Sequence, residues 1–296
     1  MADLTAPLDT APLETAPLDT ASLEARARAA RMEIVRAVGR AGAGHLGGPL
    51  SAVDLLVALY GGVLRGRPAD PAWDERDRFV LSKGHASIGL YAVLALSGYF
   101  PVEELATFDA VGSRLQGHPD MTRLPGIDMS TGSLGVGISA GLGMAIGAKR
   151  RGLDVRTFVM LGDGECQEGQ VWEAAISAVR HGLDNLFVIV DLNGLQQYGW
   201  VEATPVGRAR PWSAEALGGI WSAFGWRVTT IDGHDMTAIV DGLTAAIRTA
   251  GEGRPTAILA RTTKGRGVSF MEDRFEWHAR VPTAEEAERA LAELAS

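Results

Sequence analysis

The chain has 296 residues, 46% of them apolar, with 36 acidic against 28 basic side chains and a net charge of −8. That is enough apolar residue for a sizeable core, and too little positive charge for nucleic acid to be a partner. A single cysteine cannot close an intramolecular disulfide, and the first residues lack a charged segment followed by an apolar one, so a reducing, cytoplasmic setting is expected.

Residues 5–19 read TAPLD, TAPLE, TAPLD, a five-residue unit with proline in each copy. Such a tract cannot bury a face, so 1–22 is expected to be a disordered tail or an extended arm outside the fold. From Leu23 a helical pattern sets in, with Ile34, Val35 and Val38 on one side, and is expected to end at Gly39. The glycine-rich GAGHLGGPLS follows. Ser51 and Asp54, three apart, read as a capping box opening a helix through Tyr60.

Beyond this the chain alternates. Strand-like runs are RFVL (78–81), VRTFVML (155–161), NLFVIV (185–190), WRVTTI (226–231) and TAILA (256–260), with helical patterns at 86–97, 136–149, 169–181 and 235–250. This order predicts an α/β fold, a doubly wound parallel sheet with helices on both faces, as one domain over 23–296. The uncharged segment Met129–Ala148 has membrane-span length but holds six glycines, three serines and a threonine. It therefore reads as a buried helix, its GxxxG pairs Gly137/Gly141 and Gly143/Gly147 packing against another helix, within the chain or across a subunit interface.

The residues after the five runs are SKGHAS, GDGE, DLNG, DGHD and RTTKG. In a parallel sheet these turns share one rim, where ligands bind. Asp163 and Asn193 lie 30 positions apart, one strand–helix–strand unit, which places a carboxylate and an amide oxygen at the ends of neighbouring strands. With the carbonyl of Leu195 they make an oxygen set suited to Mg²⁺, with room left for a diphosphate. Gly164 and the helix start near Glu165 would offer amide N–H groups to that anion. The plainer reading makes Asp163 and Asn193 turn formers; their joint spacing favours the metal.

Of six histidines, four directly follow glycine: His45, His85, His118 and His234. An imidazole beside bare backbone suits proton transfer at a ligand, and equally an ordinary turn. His234, in IDGHD, is taken as structural, with Asp235 capping the next helix; His181 closes a helix. Cys166 reads as a buried small residue, although a helix start can also lower a thiol's pKa.

The motifs GHLGGPLSAVDLLVALY, DRFVLSKGHAS, LQGHPD, STGSLGVGISAGLGMA, GDGECQEGQVWEA, IDGHD and TTKGRGVSFME…WH, in this order, resemble the amino-terminal half of transketolase, over roughly residues 25 to 290. The resemblance implies thiamine diphosphate and Mg²⁺ as cofactors, with Asp163, Asn193 and the Leu195 carbonyl as metal ligands. Gly164 and Asn193 match diphosphate contacts, and Gly132, Ser133 and Leu134 match a loop along the cofactor, Ser133 standing where many members carry proline. His85 matches a histidine facing cofactor and substrate. His45, His118 and His278 match histidines that line the substrate channel and assist proton transfer, His278 also touching the cofactor. Glu165 is read as accepting from the cofactor or from groups behind it. Glu168 resembles a glutamate that communicates across the subunit interface, or is simply an acid in a first helical turn.

In transketolase the glutamate that acts on the aminopyrimidine, and most groups that hold sugar phosphates, belong to the second half of the chain. The resemblance therefore implies one subunit of a split enzyme, completed as α2β2 by a partner with the pyrimidine-binding and C-terminal domains, acting on sugars or sugar phosphates. The nearest enzyme rival is another thiamine diphosphate half-subunit, such as that of a 2-oxoacid dehydrogenase. A nicotinamide dehydrogenase is disfavoured because GVGISAG follows no strand. A non-catalytic subunit is disfavoured by the presence of Asp163, Asn193 and His85.

Overall fold

The structure, a computed structural model, describes residues 19–197 and 213–296. Chain order is α1 (Thr20–Ala41), α2 (Gly47–Ala58), β1 (Arg78–Leu81), α3 (Ser87–Leu96), α4 (Val136–Arg150), β2 (Thr157–Gly162), α5 (Gly169–Arg180), β3 (Leu186–Leu192), α6 (Ala214–Ala223), β4 (Arg227–Asp232), α7 (Met236–Arg248), β5 (Thr256–Arg261) and α8 (Ala284–Ala295). The strands form one parallel sheet in the order β1-β2-β3-β5-β4. The expected architecture is present.

Successive strand residues point to opposite faces, so the central strands feed two cores. Phe158, Met160, Phe187, Ile189, Ile258 and Ala260 face one side, where α1, α2, α3, α7 and α8 supply Ile34, Leu55, Tyr91, Leu243 and Leu294. Val159, Leu161, Val188, Val190 and Leu259 face the other, against α4, α5 and α6, with Trp221 and Trp226 fully covered. Burial on both faces is why β2 and β3 read as unbroken apolar runs. β4, at the edge, is only half-buried and carries two threonines.

Several boundaries differ from the sequence expectation. α1 begins at Thr20, capped by Asp19, whose carboxylate accepts from the Ser22 amide at 2.8 Å, and it ends two residues beyond Gly39 at Ala41, where Gly42 takes the left-handed φ of 65°. Thr20, Ala21 and Ser22 of the expected tail are thus helical, and 1–18 lie outside the described residues. α2 starts at Gly47 without a side-chain cap, so Ser51 and Asp54 lie inside a helix and form no capping box. Both are drawn into tertiary contacts instead: Ser51 reaches Asp191, and Asp54 pairs with Arg31 and His234. Two helices were not anticipated, α6 and α8, the second opened by a complete capping box between Thr283 and Glu286.

The first GxxxG pair of α4 packs against the sheet and not against another helix. A Cβ on Gly137 would lie 2.4 Å from Ser82 Oγ, and one on Gly141 2.3 Å from Val159 Cγ2, so this pair lets the helix approach the sheet. Gly143 and Gly147 have nothing within 4 Å. Gly141→Ala is therefore expected to destabilise the chain by about 1–3 kcal/mol through overpacking. Gly143→Ala should be neutral or stabilising by up to about 1 kcal/mol, from helix propensity alone. Denaturant unfolding of the two variants checks the contrast, and equal effects would contradict this account of α4.

Candidate cofactor and substrate site

The carboxyl ends of β1, β2, β3 and β5 meet in one polar cleft. β2 and β3 run in register, Gly162 beside Asp191, so the residues just past them, Asp163 and Asn193, are brought together as the spacing predicts. Asp163 Oδ2 accepts from the Gly194 amide at 2.8 Å and Oδ1 from the Gly164 amide at 2.9 Å. Asn193 Oδ1 accepts from the Leu195 amide at 3.1 Å, folding the turn so that side-chain oxygen and Leu195 lie close. Asp163 is nearly buried, and that burial, reinforced by the neighbouring Asp191, raises its pKa to about 6. A carboxylate that costs free energy to keep charged is one that a cation would relieve. No cluster of three His, Cys, Asp or Glu among the described residues could hold a metal. A carboxylate, an amide oxygen and a backbone carbonyl nonetheless form the hard oxygen set that Mg²⁺ accepts, with few protein ligands.

The Gly164 amide donates to Asp163 Oδ1, and a Cβ at Gly164 would meet the Gln196 side chain at 3.1 Å. The open glycine is Gly162, with nothing within 4 Å of its Cβ position. Glu165 accepts from protein groups behind the cleft, one of the two expectations for it. It is 2% exposed, and its carboxylate accepts from Ser82, from the Gly135 amide (2.8 Å) and from the Gly162 amide (3.1 Å). It thus pins the start of α4 and its preceding loop to the ends of β1 and β2. Within that loop Gly132 is half-buried, while Ser133 and Leu134 are exposed at the rim. Thr131 Oγ1 donates to the Leu81 carbonyl at 2.6 Å, fixing the loop's entry. Glu168 is exposed at the start of α5, beside Gly135. Cys166 is fully buried, and burial pushes its thiol well above the usual range, so the low-pKa alternative does not hold.

The four histidines singled out converge. Ring centroids lie 5.3 Å apart for His45 and His85, 6.4 Å for His45 and His118, 5.2 Å for His45 and His278, and 5.0 Å for His85 and His278. Burial lowers the pKa of His45, aided by His118 and Lys264, and lowers His85 further, aided by Lys83. His278 falls to about 3, through burial and Lys264. These three imidazoles are therefore neutral at physiological pH, each able to donate at one nitrogen and accept at the other. A broad surface hollow of about 730 Å³, lined by Glu104, Arg114 and Arg123 among others, contains none of the four.

Two lysines complete the cleft, and sequence reasoning assigned them nothing. Lys83 and Lys264 are each 2% exposed. Lys83 pairs with the fully buried Asp191. The Lys264 ammonium donates to the carbonyls of Leu195 (3.3 Å) and Gln196 (3.2 Å) and to His278 Nδ1 (2.9 Å). Its pKa drops to about 8, from burial and the repulsion of Lys83. The signal was available: both lysines directly precede the glycine of a strand-end turn, in SKGH and TTKG.

Residues 23–294 match the family model described as "Transketolase, thiamine diphosphate binding domain". The chain belongs to the transketolase family. It is 45% identical over 258 residues to the 6-deoxy-6-sulfo-D-fructose transketolase subunit SqwG of Clostridium sp. (strain MSTE9), covering 87% of this chain and 90% of that one. It is 41% identical over 261 residues to an apulose-4-phosphate transketolase subunit of Phocaeicola vulgatus, with 88% and 89% covered. The transketolase of Campylobacter jejuni superposes with a TM-score of 0.84 at 31% identity, over 94% of this chain but 43% of that one. The chain thus spans about two fifths of that solved transketolase, while matching nearly the whole length of proteins named as subunits. This sheet is the thiamine diphosphate-binding fold.

For a transketolase domain the raised pKa of Asp163 has a measurable cost. An acid whose folded pKa is raised contributes stability in its protonated form, complete below about pH 4 and lost as the pH rises through about 6. Asp163→Asn removes that loss. In the metal-free chain at pH 8 it should gain on the order of 1–3 kcal/mol over the parent, a gap that closes by pH 4. Denaturant unfolding at the two pH values reads this out; a variant less stable than the parent at pH 8 would show that Asp163 is not destabilised by its surroundings.

Proposed function

We propose that this chain is the diphosphate-binding subunit of a split transketolase. With a partner subunit that carries the pyrimidine-binding and C-terminal domains, it transfers a two-carbon ketol unit from a ketose or ketose phosphate donor to an aldehyde acceptor. The observation that carries the reading is the convergence of His45, His85, His118 and His278 beside the oxygen set of Asp163, Asn193 and Leu195 at one sheet rim. The two subunit-length relatives support it: one is named for a sulfonated ketose, the other for a phosphorylated one.

In this reading Asp163, Asn193 and the Leu195 carbonyl are the residues that would hold Mg²⁺, which would supply positive charge for the diphosphate of thiamine diphosphate. When bound, that cofactor supplies a carbanion nucleophile and an electron sink. The chain's own residues orient and move protons. Neutral His45, His85 and His278 donate to or accept from hydroxyl and carbonyl oxygens of the sugar, and His118, exposed at the mouth, meets the incoming substrate. Gly132, Ser133 and Leu134 are the residues that would lie along the cofactor, and Glu165 keeps that loop in place. Lys264 adds positive charge beside the Leu195 carbonyl, while the charge of Lys83 is balanced by Asp191.

Assembly as α2β2 is supported by the open glycine face of α4 (Gly143, Gly147) and the exposed Ile176 of α5, both turned away from the sheet. A cytoplasmic location fits the lone buried thiol; no helix among the described residues is long and apolar enough to cross a membrane.

The test mixes the chain with the product of a neighbouring open reading frame that carries the complementary transketolase domains, then titrates Mg²⁺ and thiamine diphosphate. Ketol transfer is expected only from the mixture, with cofactor bound at least tenfold more tightly than by the chain alone. Asp163→Asn should still assemble while losing retained cofactor. Ketol transfer by the chain without its partner, or undiminished cofactor content in the variant, would overturn the reading.

A further inference from the structure

His234 lies outside the histidine cluster, after the edge strand β4, and none of the four clustered imidazoles engages it. Its side chain is 10% exposed, and both ring nitrogens are engaged. Nδ1 lies 2.7 Å from Asp54 Oδ2, and Nε2 lies 2.7 Å from the backbone nitrogen of Thr263. A backbone amide can only donate, so Nε2 must present its lone pair, and the ring proton must reside on Nδ1, donated to Asp54. The tautomer follows from the partners. Asp54 is itself held by the Arg31 guanidinium through two contacts, at 2.9 and 2.6 Å.

The segment that His234 grips leads straight into the cleft. Thr262 donates its hydroxyl to Asp191. Thr263 gives its amide to His234, and Lys264 sends its ammonium to Leu195, Gln196 and His278. Gly265 donates to the Gly47 carbonyl at 3.0 Å, and Arg31, besides holding Asp54, donates through Nε to the Arg266 carbonyl at 3.1 Å. The chain Arg31–Asp54–His234 therefore clasps residues 263–266 at two backbone points, from α1, α2 and the β4 turn together.

We propose that His234 is a positioning residue for the ketol transfer assigned to this cleft: as the Nδ1–H tautomer held by Asp54, it accepts the Thr263 amide and so sets the Lys264 ammonium between the Leu195 carbonyl and His278. The inference rests on the proposed function only for its catalytic consequence. The hydrogen-bond geometry stands without it.

Two substitutions separate the halves of the contact. His234→Asn keeps a donor near Nδ1 for Asp54 but has no acceptor for Thr263. His234→Gln places an amide oxygen near the Nε2 position, able to accept from Thr263. In the full chain, amide hydrogen exchange of the segment holding Thr263 and Lys264 should quicken at least tenfold in His234→Asn and stay within about threefold of the parent in His234→Gln. Exchange in the α7 helix should be unaltered in both. In the complex with the partner, kcat should fall about tenfold or more in His234→Asn, with donor KM changed less than about threefold, and recover in His234→Gln.

A role confined to the turn before α7 predicts the reverse, with α7 exchange altered in both variants and no recovery by glutamine. That result would overturn the proposal. Should the variants fail to fold, ¹⁵N-histidine spectra of the parent chain at pH 7 decide it: an Nδ1-protonated His234 supports the assignment, and an Nε2-protonated or doubly protonated ring ends it. The exchange and ring-nitrogen readouts need no turnover. Their failure in an enzyme that transfers ketol units removes only His234's role, and absence of ketol transfer with both intact removes only the functional reading.

Discussion

The turns that build the cleft meet on one buried carboxylate. Asp191, the next-to-last residue of β3 and wholly inaccessible, receives the ammonium of Lys83 from the end of β1, the hydroxyl of Thr262 from the end of β5, and the amide of Asn193 from its own turn at 3.3 Å. Ser51 of α2, with a single hydroxyl proton, lies within reach of both Asp191 (2.6 Å) and the Gly48 carbonyl (2.9 Å). Burial alone would raise the pKa of Asp191, but Lys83 and these donors hold it below the ordinary carboxylate value. Removing one partner from such a pair leaves an uncompensated charge in the interior, at a cost of about 3–5 kcal/mol. The arrangement thus has one well-defined geometry, and the proposed metal ligand Asn193 inherits it. Two carboxylates at adjacent strand ends have different tasks. Asp191 is paired and organises the turns; Asp163 is held by the Gly164 and Gly194 amides, with no ion pair among the described residues.

The electrostatics of the cleft follow from crowding. The chain carries a net charge of −8, yet two buried lysines act on the imidazole cluster: Lys264 lies 2.9 Å from His278 and also acts on His45 and His85, and Lys83 acts on His85 and His278. Protonating a histidine there would add a like charge in poorly solvated surroundings, so His85 and His278 stay neutral far below their ordinary range. Lys264 is itself poised near pH 8, and because it donates to His278 Nδ1, that ring must carry its proton on Nε2. His278 is thus fixed as a donor through Nε2, and neutral His45 and His85 beside it each keep one donor and one acceptor nitrogen.

Much of this was legible from residues alone. Strands covered on both faces appear as apolar runs, and the polar turns after them give away the rim. The spacing of Asp163 and Asn193 survives because adjacent parallel strands in register convert sequence distance into proximity. Legibility failed where long-range partners compete with local chemistry. Ser51 and Asp54 have capping-box spacing, but Asp191, Arg31 and His234 offer stronger partners, and the helix begins at Gly47 instead. Glu165 looks like an acid at a helix start facing a ligand; only the fold reveals three donors converging on it. The capping box of α8 shows the opposite case, a local signal present in the sequence and passed over.

The glycines carry the last step. Read from sequence, they make room for a ligand. In the structure most of that room is taken by the protein: a Cβ on Gly84 would lie 2.7 Å from the Thr131 carbonyl carbon, one on Gly47 2.8 Å from the Lys264 side chain, and one on Gly132 3.1 Å from the His118 ring. These residues let separate turns touch, and that contact is what draws the histidines and Lys264 into a single cluster. Gly162, at the end of β2, is the one glycine of the Asp163 turn whose flank is open. Glycine beside histidine in GHL and KGHAS is therefore chiefly a packing signal, a Cβ on Gly44 meeting Phe108 at 2.9 Å and one on Gly84 meeting Thr131 at 2.7 Å, and the imidazoles crowd where the backbone lets them.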